Sequence, residues 1–234
     1  MRQDNRTNDE IRPVKFTDDF IENPLASVLI EMGRTKVLCT VSLEEQVPRF
    51  LLGKGRGWVT AEYSMLPGST NTRKPRDISR LKMDGRSTEI QRLIGRSLRS
   101  VMDMTKLGER QLIVDCDVLQ ADGGTRTAAI NGGYRALRLA CRRLMAQGIL
   151  KENPLQGAVG AVSVGIVEDE AMADLCYLED SQAQVDMNVI MDSQGGFIEV
   201  QGTGESRPFT GAELAAMLSY AETGIRRIFE IQGE

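Results

Sequence analysis

Residues 115–127 hold the densest group of side chains and glycines that could take part in chemistry. They read Asp-Cys-Asp-Val-Leu-Gln-Ala-Asp-Gly-Gly-Thr-Arg-Thr, so a double glycine is followed directly by Thr125 and Arg126. Glycines let a backbone approach a ligand closely, and the free N–H groups that begin a helix favour an anion. Arg126 would add a charge-assisted hydrogen bond to the same anion. Gly124, Thr125 and Arg126 therefore predict a phosphate site, although an ordinary strand–turn–helix junction with a surface arginine has the same pattern.

An arginine and two aspartates elsewhere in the chain could join this chemistry. Arg86 follows a glycine at the start of a predicted helix, which repeats the arrangement of an arginine beside a helix N-terminus. Asp180 and Asp186 lie at the end of one predicted strand and the start of the next. A short connection can bring both carboxylates to one edge of a sheet, where their oxygens suit Mg²⁺ or Mn²⁺. The alternative is a pair of acidic loop residues without a ligand.

A long basic loop is predicted around Arg73, Arg76 and Arg80, because apolar periodicity is absent there. The surrounding residues 49–99 hold 12 Lys and Arg against 4 Asp and Glu, and residues 166–234 hold 3 against 14. The arginines would suit phosphate contacts along an RNA strand, which fix position without reading sequence. The alternatives are a solvated loop and two solvated faces of opposite charge.

The sequence contains no histidine, and this excludes several mechanisms. Hydrolysis by Ser–His–Asp or Cys–His groups, two-histidine ribonuclease chemistry and zinc sites that use histidine all need the missing side chain. Catalysis must then depend on carboxylates, Lys, Arg, Tyr, backbone dipoles or a hard metal ion. The cysteines form no C-x-x-C pair and are predicted to be reduced core residues: Cys39, Cys116, Cys141 and Cys176.

The elements that would position these groups are predicted from periodicity. Alternation over residues 111–119 predicts a strand, and apolar spacing over residues 125–146 predicts the helix that follows the double glycine. A capping box that begins at Thr88 predicts a helix over 87–104. The remaining runs predict a hairpin, further strands and a closing helix, at 27–32 with 36–42, 58–65, 159–167, 171–178, 185–191, 197–201 and 209–229. This order of elements predicts one mixed α+β domain over residues 1–234.

No segment of the sequence predicts a membrane span or a secretory signal. The longest apolar run, Ala158–Val167, contains glycines and is too short to cross a bilayer. The first residues are polar and charged. The protein is therefore expected to be cytoplasmic and to have no membrane partner.

Six motifs together resemble the bacterial ribonuclease PH family, and they follow one another along nearly the whole chain. Besides residues 115–127 they read Gly-Trp-Val-Thr-Ala-Glu-Tyr, Glu-Ile-Gln-Arg-Leu-Ile-Gly-Arg-Ser-Leu-Arg, Val-Ser-Val-Gly-Ile, Asp-Met-Asn-Val and Glu-Val-Gln-Gly-Thr, at 57–63, 89–99, 162–166, 186–189 and 199–203. The resemblance implies a phosphate-dependent 3′→5′ exoribonuclease that trims the 3′ ends of tRNA precursors and can add nucleotides in reverse. It also implies a fold like the second domain of ribosomal protein S5 and a hexameric ring of dimers.

The resemblance implies roles for particular residues as well. Inorganic phosphate, the co-substrate, would be held by Gly124–Arg126 together with Arg86. It would attack the terminal phosphodiester, and a nucleoside diphosphate would leave. Residues that match Asp180 and Asp186 are associated with a divalent metal, Mg²⁺ or Mn²⁺.

The basic loop with Arg73 and Arg76 corresponds to the part of the family that is associated with tRNA binding. Related folds also serve as non-catalytic RNA-binding subunits of exosome-like rings, and this is the alternative function. An inactive subunit would be expected to lack the phosphate loop around Gly124–Arg126 or its acidic partners, Asp180 and Asp186. Both are present in this sequence, which favours the enzyme.

The chain departs from the family pattern in two places that bear on its structure. Asn5 stands where the family has glycine in an amino-terminal Arg-x-x-Gly-Arg, and Asn tolerates a positive φ better than most residues do. Residues 131–133 read Asn-Gly-Gly in place of a more usual Thr/Ser-Gly-Ala. The additional glycine predicts a weakened helix after the phosphate loop.

Overall fold

Two β-sheets and five α-helices make up the computed structural model, which describes residue 2, residues 4–76 and residues 84–233. The strands are β1 (Val14–Asp18), β2 (Ala26–Met32), β3 (Thr35–Glu44), β4 (Trp58–Met65), β5 (Gln111–Gln120), β6 (Val159–Val167), β7 (Glu170–Ala173), β8 (Val185–Asp192) and β9 (Phe197–Gly204). The helices are α1 (Gly85–Ser100), α2 (Met104–Leu107), α3 (Thr125–Ala146), α4 (Tyr177–Asp180) and α5 (Gly211–Gln232). The predicted α+β class is confirmed. Arg80 of the basic loop lies outside the described residues.

The first sheet has the strand order β1-β2-β3-β5-β4, in which β4 is parallel to β5 and the other pairs are antiparallel. β5 keeps the predicted alternation, because Val114 and Cys116 are buried while Asp115 and Asp117 are partly exposed. Tyr63 of β4 is paired with Cys116. Since β4 and β5 run the same way, the carboxyl end of β4 lies beside the end of β5 that leads into the double glycine.

The second sheet is antiparallel and has the order β7-β6-β8-β9. Every residue of β6 is buried, because α3 and α5 both pack against this strand. A strand covered on both faces needs no polar alternation. This explains why the sequence of β6 is a continuous apolar run.

Helix α3 lies between the two sheets and contacts β2, β3 and β5 of the first sheet as well as β6 of the second. One cluster of buried apolar side chains contains residues of both sheets. The single domain over residues 1–234 stays a prediction, because a shared core does not show whether either half folds alone. No helix among the described residues is long and apolar enough to cross a membrane.

The start of α1 differs from the sequence prediction. The helix begins at Gly85, and Asp84 is its N-cap residue, which accepts a hydrogen bond from the backbone N–H of Arg86 at 3.2 Å. Thr88 lies inside the first turn, and its hydroxyl donates to the carbonyl oxygen of Asp84. The capping-box prediction was wrong because the aspartate that precedes the glycine is the stronger cap here.

The predicted strand over residues 171–178 is confirmed only as far as Ala173, and its second half is wrong. Strand β7 ends at Ala173, and Asp174 has a φ of +48°, which no extended strand allows. The chain then turns into α4, so Asp180 ends a short helix and does not end a strand. Cys176 precedes this helix and is partly exposed, whereas Cys39, Cys116 and Cys141 are buried as predicted.

Candidate functional site

The double glycine forms a tight turn between β5 and α3. Gly123 and Gly124 have φ values of +76° and +64°, in the left-handed region that favours glycine. A Cβ on Gly123 would lie 2.4 Å from the carbonyl oxygen of Leu175, so the loop packs directly on the backbone before α4. Gly124 is the N-cap of α3 and carries no side chain that could satisfy the first N–H groups. These N–H groups are therefore suited to an anion, as the sequence predicts.

Thr125 is held from the neighbouring strand. The hydroxyl of Tyr63 in β4 donates a hydrogen bond of 2.9 Å to the Oγ1 atom of Thr125. Burial raises the pKa of Tyr63, while the charges of Arg86 and Arg126 act in the opposite direction. Tyr63 therefore stays protonated and able to donate at neutral pH. Its closeness to both arginines indicates that they share one region with Thr125.

Arg126 points toward the gap between α1 and β9. Its Nη1 atom donates to the side-chain oxygen of Gln201 at 3.3 Å and lies 3.6 Å from a carboxylate oxygen of Glu89. Gln201 also donates to Glu89 at 2.8 Å, so the three side chains form a small network. Arg86, in the first turn of α1, is exposed, and its side chain makes no hydrogen bond or ion pair within the part of the chain that the structure describes. One arginine is thus oriented by the protein and the other is available to a ligand.

Asp180 and Asp186 lie near these arginines. Desolvation and the charge of Asp180 raise the pKa of Asp186 to about 6, and the charges of Arg126 and Arg86 oppose that rise. Desolvation also raises the pKa of Asp180, and the charges of Arg86 and Arg126 oppose that rise as well. Among the described residues, neither carboxylate makes a hydrogen bond or a close ion pair with another side chain. The structure thus brings together the predicted phosphate loop and the predicted acidic pair.

The acidic pair fits a hard divalent cation by the chemistry of its oxygen donors. Asp180 and Asp186 repel one another and have no close cationic partner among the described residues, so a bound cation would relieve that repulsion. The described residues contain no group of three or more His, Cys, Asp and Glu that could hold a metal. Mg²⁺ commonly uses one or two carboxylates and completes its coordination with water and substrate phosphates. Two carboxylates beside a phosphate loop match that pattern.

The basic loop lies beside α1, and its described residues, up to Arg76, form no hydrogen bond or ion pair with the phosphate loop. Arg73 and Arg76 are exposed. Between them, Lys74 forms an ion pair of 3.1 Å with Asp84, the N-cap of α1. The described part of the basic loop is therefore anchored next to Arg86. Its arginines are free to meet a ligand that extends beyond the phosphate loop.

Three residues of the site were not predicted from the sequence: Tyr63, Glu89 and Gln201. Each lies inside a motif that resembles the ribonuclease PH family, and this was the available signal. Their contacts could not be inferred, because Gln201 and Glu89 are 112 positions apart and Tyr63 and Thr125 are 62 apart. The packing of β4 and β9 against α1 helps to bring them together.

Family models match most of the chain. Residues 10–142 match the 3′ exoribonuclease family, domain 1, and residues 157–224 match the 3′ exoribonuclease family, domain 2; the two models are those of ribonuclease PH. Together they leave only the two termini and the connection between 142 and 157 unmatched. The fold is the ribosomal protein S5 domain 2-like fold, as predicted.

Solved structures share this fold at low sequence identity. Rice (Oryza sativa) Rrp46 is 18% identical with a TM-score of 0.80, and the match covers 99% of this chain and 98% of that one. A chain of the Archaeoglobus fulgidus exosome, solved with RNA bound to the active site, is 21% identical with a TM-score of 0.81, over 98% and 91% of the two chains. A chain of an archaeal exosome core is 21% identical with a TM-score of 0.78, over 100% and 91%. At such identities the likeness shows the fold alone.

Proposed function

Because the chain belongs to the 3′ exoribonuclease family, that of ribonuclease PH, we propose that it is a phosphate-dependent 3′→5′ exoribonuclease of the bacterial ribonuclease PH type. Its substrates are RNA 3′ ends, those of tRNA precursors in particular, and its co-substrate is inorganic phosphate. An oxygen of inorganic phosphate bonds to the terminal phosphorus while the bond to the ribose 3′ oxygen breaks, and a nucleoside diphosphate is released. The reverse reaction adds a nucleotide to the 3′ end. One observation carries the proposal. The phosphate loop, which includes Arg126, lies in the same region as Arg86 and the carboxylates of Asp180 and Asp186.

The first task of the site is to bring two anions together. Backbone N–H groups at Thr125 and Arg126, with the guanidinium groups of Arg126 and Arg86, would hold inorganic phosphate against the repulsion of the RNA backbone. The hydrogen bond from Arg126 to Gln201 helps to keep its guanidinium in place before phosphate binds. This is catalysis by positioning and preorganised charge, which is how phosphoryl transfer is commonly accelerated.

The second task is to stabilise charge on the transferring phosphoryl group. A divalent ion such as Mg²⁺ or Mn²⁺, when bound by Asp180 and Asp186, would neutralise part of that charge. The carboxylates themselves must be ionised to bind a cation. Asp186, with a pKa of about 6, is mainly ionised at neutral pH.

The RNA strand beyond its 3′ end is proposed to follow the basic loop. Arg73 and Arg76 would contact its phosphates, which supplies affinity without sequence preference. We further propose that the protein assembles into a hexameric ring of dimers. We also propose a cytoplasmic location, which is consistent with tRNA precursors as substrates.

A second candidate function is a non-catalytic RNA-binding subunit of an exosome-like ring. The likeness to rice Rrp46 and to archaeal exosome chains supports it. An inactive subunit has no need for an open helix N-terminus that faces two arginines and an acidic pair. The combination of Gly124–Arg126 with Asp180 and Asp186 therefore favours the enzyme.

The two functions differ in the products formed from a short RNA with a single-stranded 3′ tail. The RNA is incubated with Mg²⁺, with and without inorganic phosphate. Nucleoside diphosphates that appear only with phosphate are the expected result. Monophosphates in the absence of phosphate would indicate hydrolysis, and RNA retention without any product would favour the binding subunit.

Replacement of Arg126 by Ala tests the phosphate site directly. Loss of one preorganised donor is expected to lower the rate of phosphorolysis by about 10²-fold or more. The matched control is Arg142→Ala, which removes an exposed arginine near the far end of the same helix and should leave the rate unchanged. Near-normal phosphorolysis by Arg126→Ala would contradict the assignment.

A further inference from the structure

The amino-terminal segment contributes a buried arginine to the region behind the site. Arg12 is 3% exposed and its partner Asp174 is fully buried. The guanidinium donates from Nε and Nη2 to the two carboxylate oxygens of Asp174 at 2.9 and 2.6 Å, and the backbone N–H of Arg12 donates at 2.7 Å. Burial opposes ionisation of Asp174, but the charge and hydrogen bonds of Arg12 hold its pKa below the usual value. This is a fully paired buried ion pair.

The same guanidinium also holds the phosphate loop. Its Nη1 atom donates to the carbonyl oxygen of Asp122 at 2.5 Å, and its Nη2 atom donates to that of Gly123 at 3.5 Å. Thr35 adds two contacts, because its hydroxyl donates to the carbonyl of Gly123 and accepts from the N–H of Asp122. The carbonyl groups that precede the anion-binding N–H groups are therefore fixed by side chains. Because a peptide unit is planar, these contacts orient the N–H groups of Gly123 and Gly124 directly, and they act on the N–H groups of Thr125 and Arg126 through the turn that follows.

The backbone at Asp174 is strained, and Arg12 helps to hold it. A φ of +48° lies in the left-handed region, which is unusual for a residue with a side chain. The N–H of Asp174 donates to Ser163 of β6, so the strained residue is anchored to the second sheet. The next residue, Leu175, is the one whose carbonyl oxygen packs against Gly123. The turn that leads to α4 and the phosphate loop are thus in direct contact.

A second arginine of the amino-terminal segment holds α4 itself. Arg2 donates two hydrogen bonds of 2.7 Å to the carboxylate of Glu179, which immediately precedes Asp180. Glu179 also accepts a hydrogen bond from the backbone N–H of Cys176 at the start of the helix. Asn5 lies between the two arginines with a φ of +62°, so the turn expected where the family has glycine is present. The segment therefore contacts the turn before α4 through Asp174 and α4 itself through Glu179.

We infer that Arg12 is a positioning residue that fixes the phosphate loop and the α4 carboxylate, Asp180, relative to each other, and so supports the binding of both phosphate and the divalent cation. The inference rests on the proposed function only in its assignment of those two ligands. Arg12 touches neither ligand. It acts through the carbonyl groups of Asp122 and Gly123 on one side and through Asp174 on the other.

The test needs a variant that keeps the buried charge. Arg12→Ala would leave the buried Asp174 carboxylate with only the more distant Arg6, whose Nη1 atom lies 3.7 Å away, and this change is expected to destabilise the protein strongly whatever its effect on the site. Arg12→Lys keeps a positive charge beside Asp174 but cannot reach both the carboxylate and the two loop carbonyls, because an ammonium lacks the planar fork. The double variant Arg12→Gln with Asp174→Asn removes both charges and is a second route to the same question.

The matched control is Arg135→Lys. Arg135 of α3 makes a comparable fork with the two carboxylate oxygens of Asp18, at 3.1 and 2.8 Å, between α3 and β1. This pair is not part of the candidate site. Its loss should therefore lower the melting temperature without affecting ligand binding.

Binding is measured on the full chain without RNA. Calorimetric titration gives the Kd of inorganic phosphate, and the EPR signal of free Mn²⁺ gives the Kd of the cation, each at a temperature where circular dichroism shows the variant folded. Arg12→Lys is expected to raise both Kd values by about 10- to 100-fold, the usual effect of changing a residue that orients ligand-binding groups. Arg135→Lys should change neither value.

The outcomes separate the inference from the proposed enzyme. If Arg12→Lys and the double variant lower the melting temperature but keep both Kd values, Arg12 is merely structural and the inference is wrong. If the unmodified protein binds neither ion, there is nothing for Arg12 to position, and the inference is again wrong. If both ions bind, both weaken together in the variants, and yet no diphosphate is released from RNA, the inference stands and the proposed phosphorolysis fails.

Discussion

At the scale of single residues, the hydroxyl of Tyr63 connects the first sheet to the phosphate loop. It donates to Thr125, and the ring is buried, so the hydroxyl has one orientation available. A fixed Thr125 hydroxyl can present its own proton toward a bound anion. Tyr63 thereby restricts the rotation of the Thr125 side chain, so that its hydroxyl can donate a hydrogen bond in a defined direction.

Tyr63→Phe removes this hydroxyl and leaves the ring in place. We expect a loss of stability of about 0.5–1.5 kcal/mol, the usual net value of one hydrogen bond. The KM for phosphate should rise several-fold, because Thr125 is then free to rotate. Tyr134→Phe removes a different buried hydroxyl, which contacts Gly157 at 3.4 Å, and should change stability without changing that KM. An unchanged KM in Tyr63→Phe would mean that Thr125 needs no such support.

What the sequence could predict at this scale follows from distance along the chain. Gly124, Thr125 and Arg126 are adjacent, so their shared role is visible in a short motif. Arg12 and Asp174 could not be paired in advance, since 162 positions separate them and charges of both signs are common in this chain. The residues proposed to bind could be named from the sequence, and those that hold them in place could not.

At the scale of elements, α3 is shaped by its position between the sheets. The sequence predicts that the glycines after Asn131 weaken this helix. The structure gives them a packing role, because a Cβ on Gly132 would lie 2.7 Å from the Sγ atom of Cys39 and 2.7 Å from Ile30. Asn131 itself exchanges two hydrogen bonds with the backbone of Ala161 in β6. Small and polar residues here let the helix approach both sheets closely.

Gly132→Ala and Gly133→Ala form a matched pair on this helix. Gly132→Ala is expected to destabilise the protein by about 1–3 kcal/mol, because the added methyl group overpacks a buried contact. Gly133→Ala meets its nearest atom at 3.3 Å, so its gain of about 1 kcal/mol in helix propensity should offset most of the strain. The comparison is made by urea unfolding. Equal losses of unfolding free energy in the two variants would contradict the close approach of α3 at Gly132 to Cys39 and Ile30.

Elements were predictable where one period continued without interruption. β5 and α3 kept their predicted periods, as did β6 with its apolar run. The stretch 171–178 was misjudged because its apolar residues suit a strand, while the left-handed turn at Asp174 is imposed by buried partners from another part of the chain. A tertiary constraint of this kind leaves no local signal.

At the scale of the whole molecule, the first sheet has one face covered by α1 and α3 and another that carries acidic residues. Asp115 and Asp117 lie on the second face, near Glu62 of β4. Desolvation and the charge of Glu62 raise the pKa of both aspartates. The folded protein therefore holds these carboxylates ionised at neutral pH at some cost in stability.

Asp117→Asn should remove the stability cost of an ionised Asp117. The raised pKa of Asp117 decides how this effect on stability changes with pH. The ionised form is disfavoured in the folded state, so the variant is expected to be more stable than the parent at pH 7, by less than about 1 kcal/mol for a partly exposed charge. The advantage should disappear as the pH falls to about 4, near the ordinary pKa of aspartate. Urea unfolding between pH 4 and pH 7 measures it.

Asp174→Asn provides the contrast, because the pKa of Asp174 is lowered. This variant should be less stable than the parent at pH 7, and the deficit should narrow at acidic pH, where Asp174 of the parent becomes protonated. If both variants were more stable than the parent at pH 7, or both less stable, the charge environments described above would be contradicted.

The pairing of Arg12 with Asp174 also sets the order in which the protein can be completed during its synthesis. With 162 positions between the two residues and a ribosome adding about 5–20 residues per second, Arg12 is made roughly 8–30 s before its partner. The phosphate loop is translated within that interval, so it follows Arg12 but precedes the Asp174 carboxylate that fixes the Arg12 guanidinium. A nascent chain that stalls before residue 174 therefore carries every group of the phosphate loop without the geometry that makes it a site.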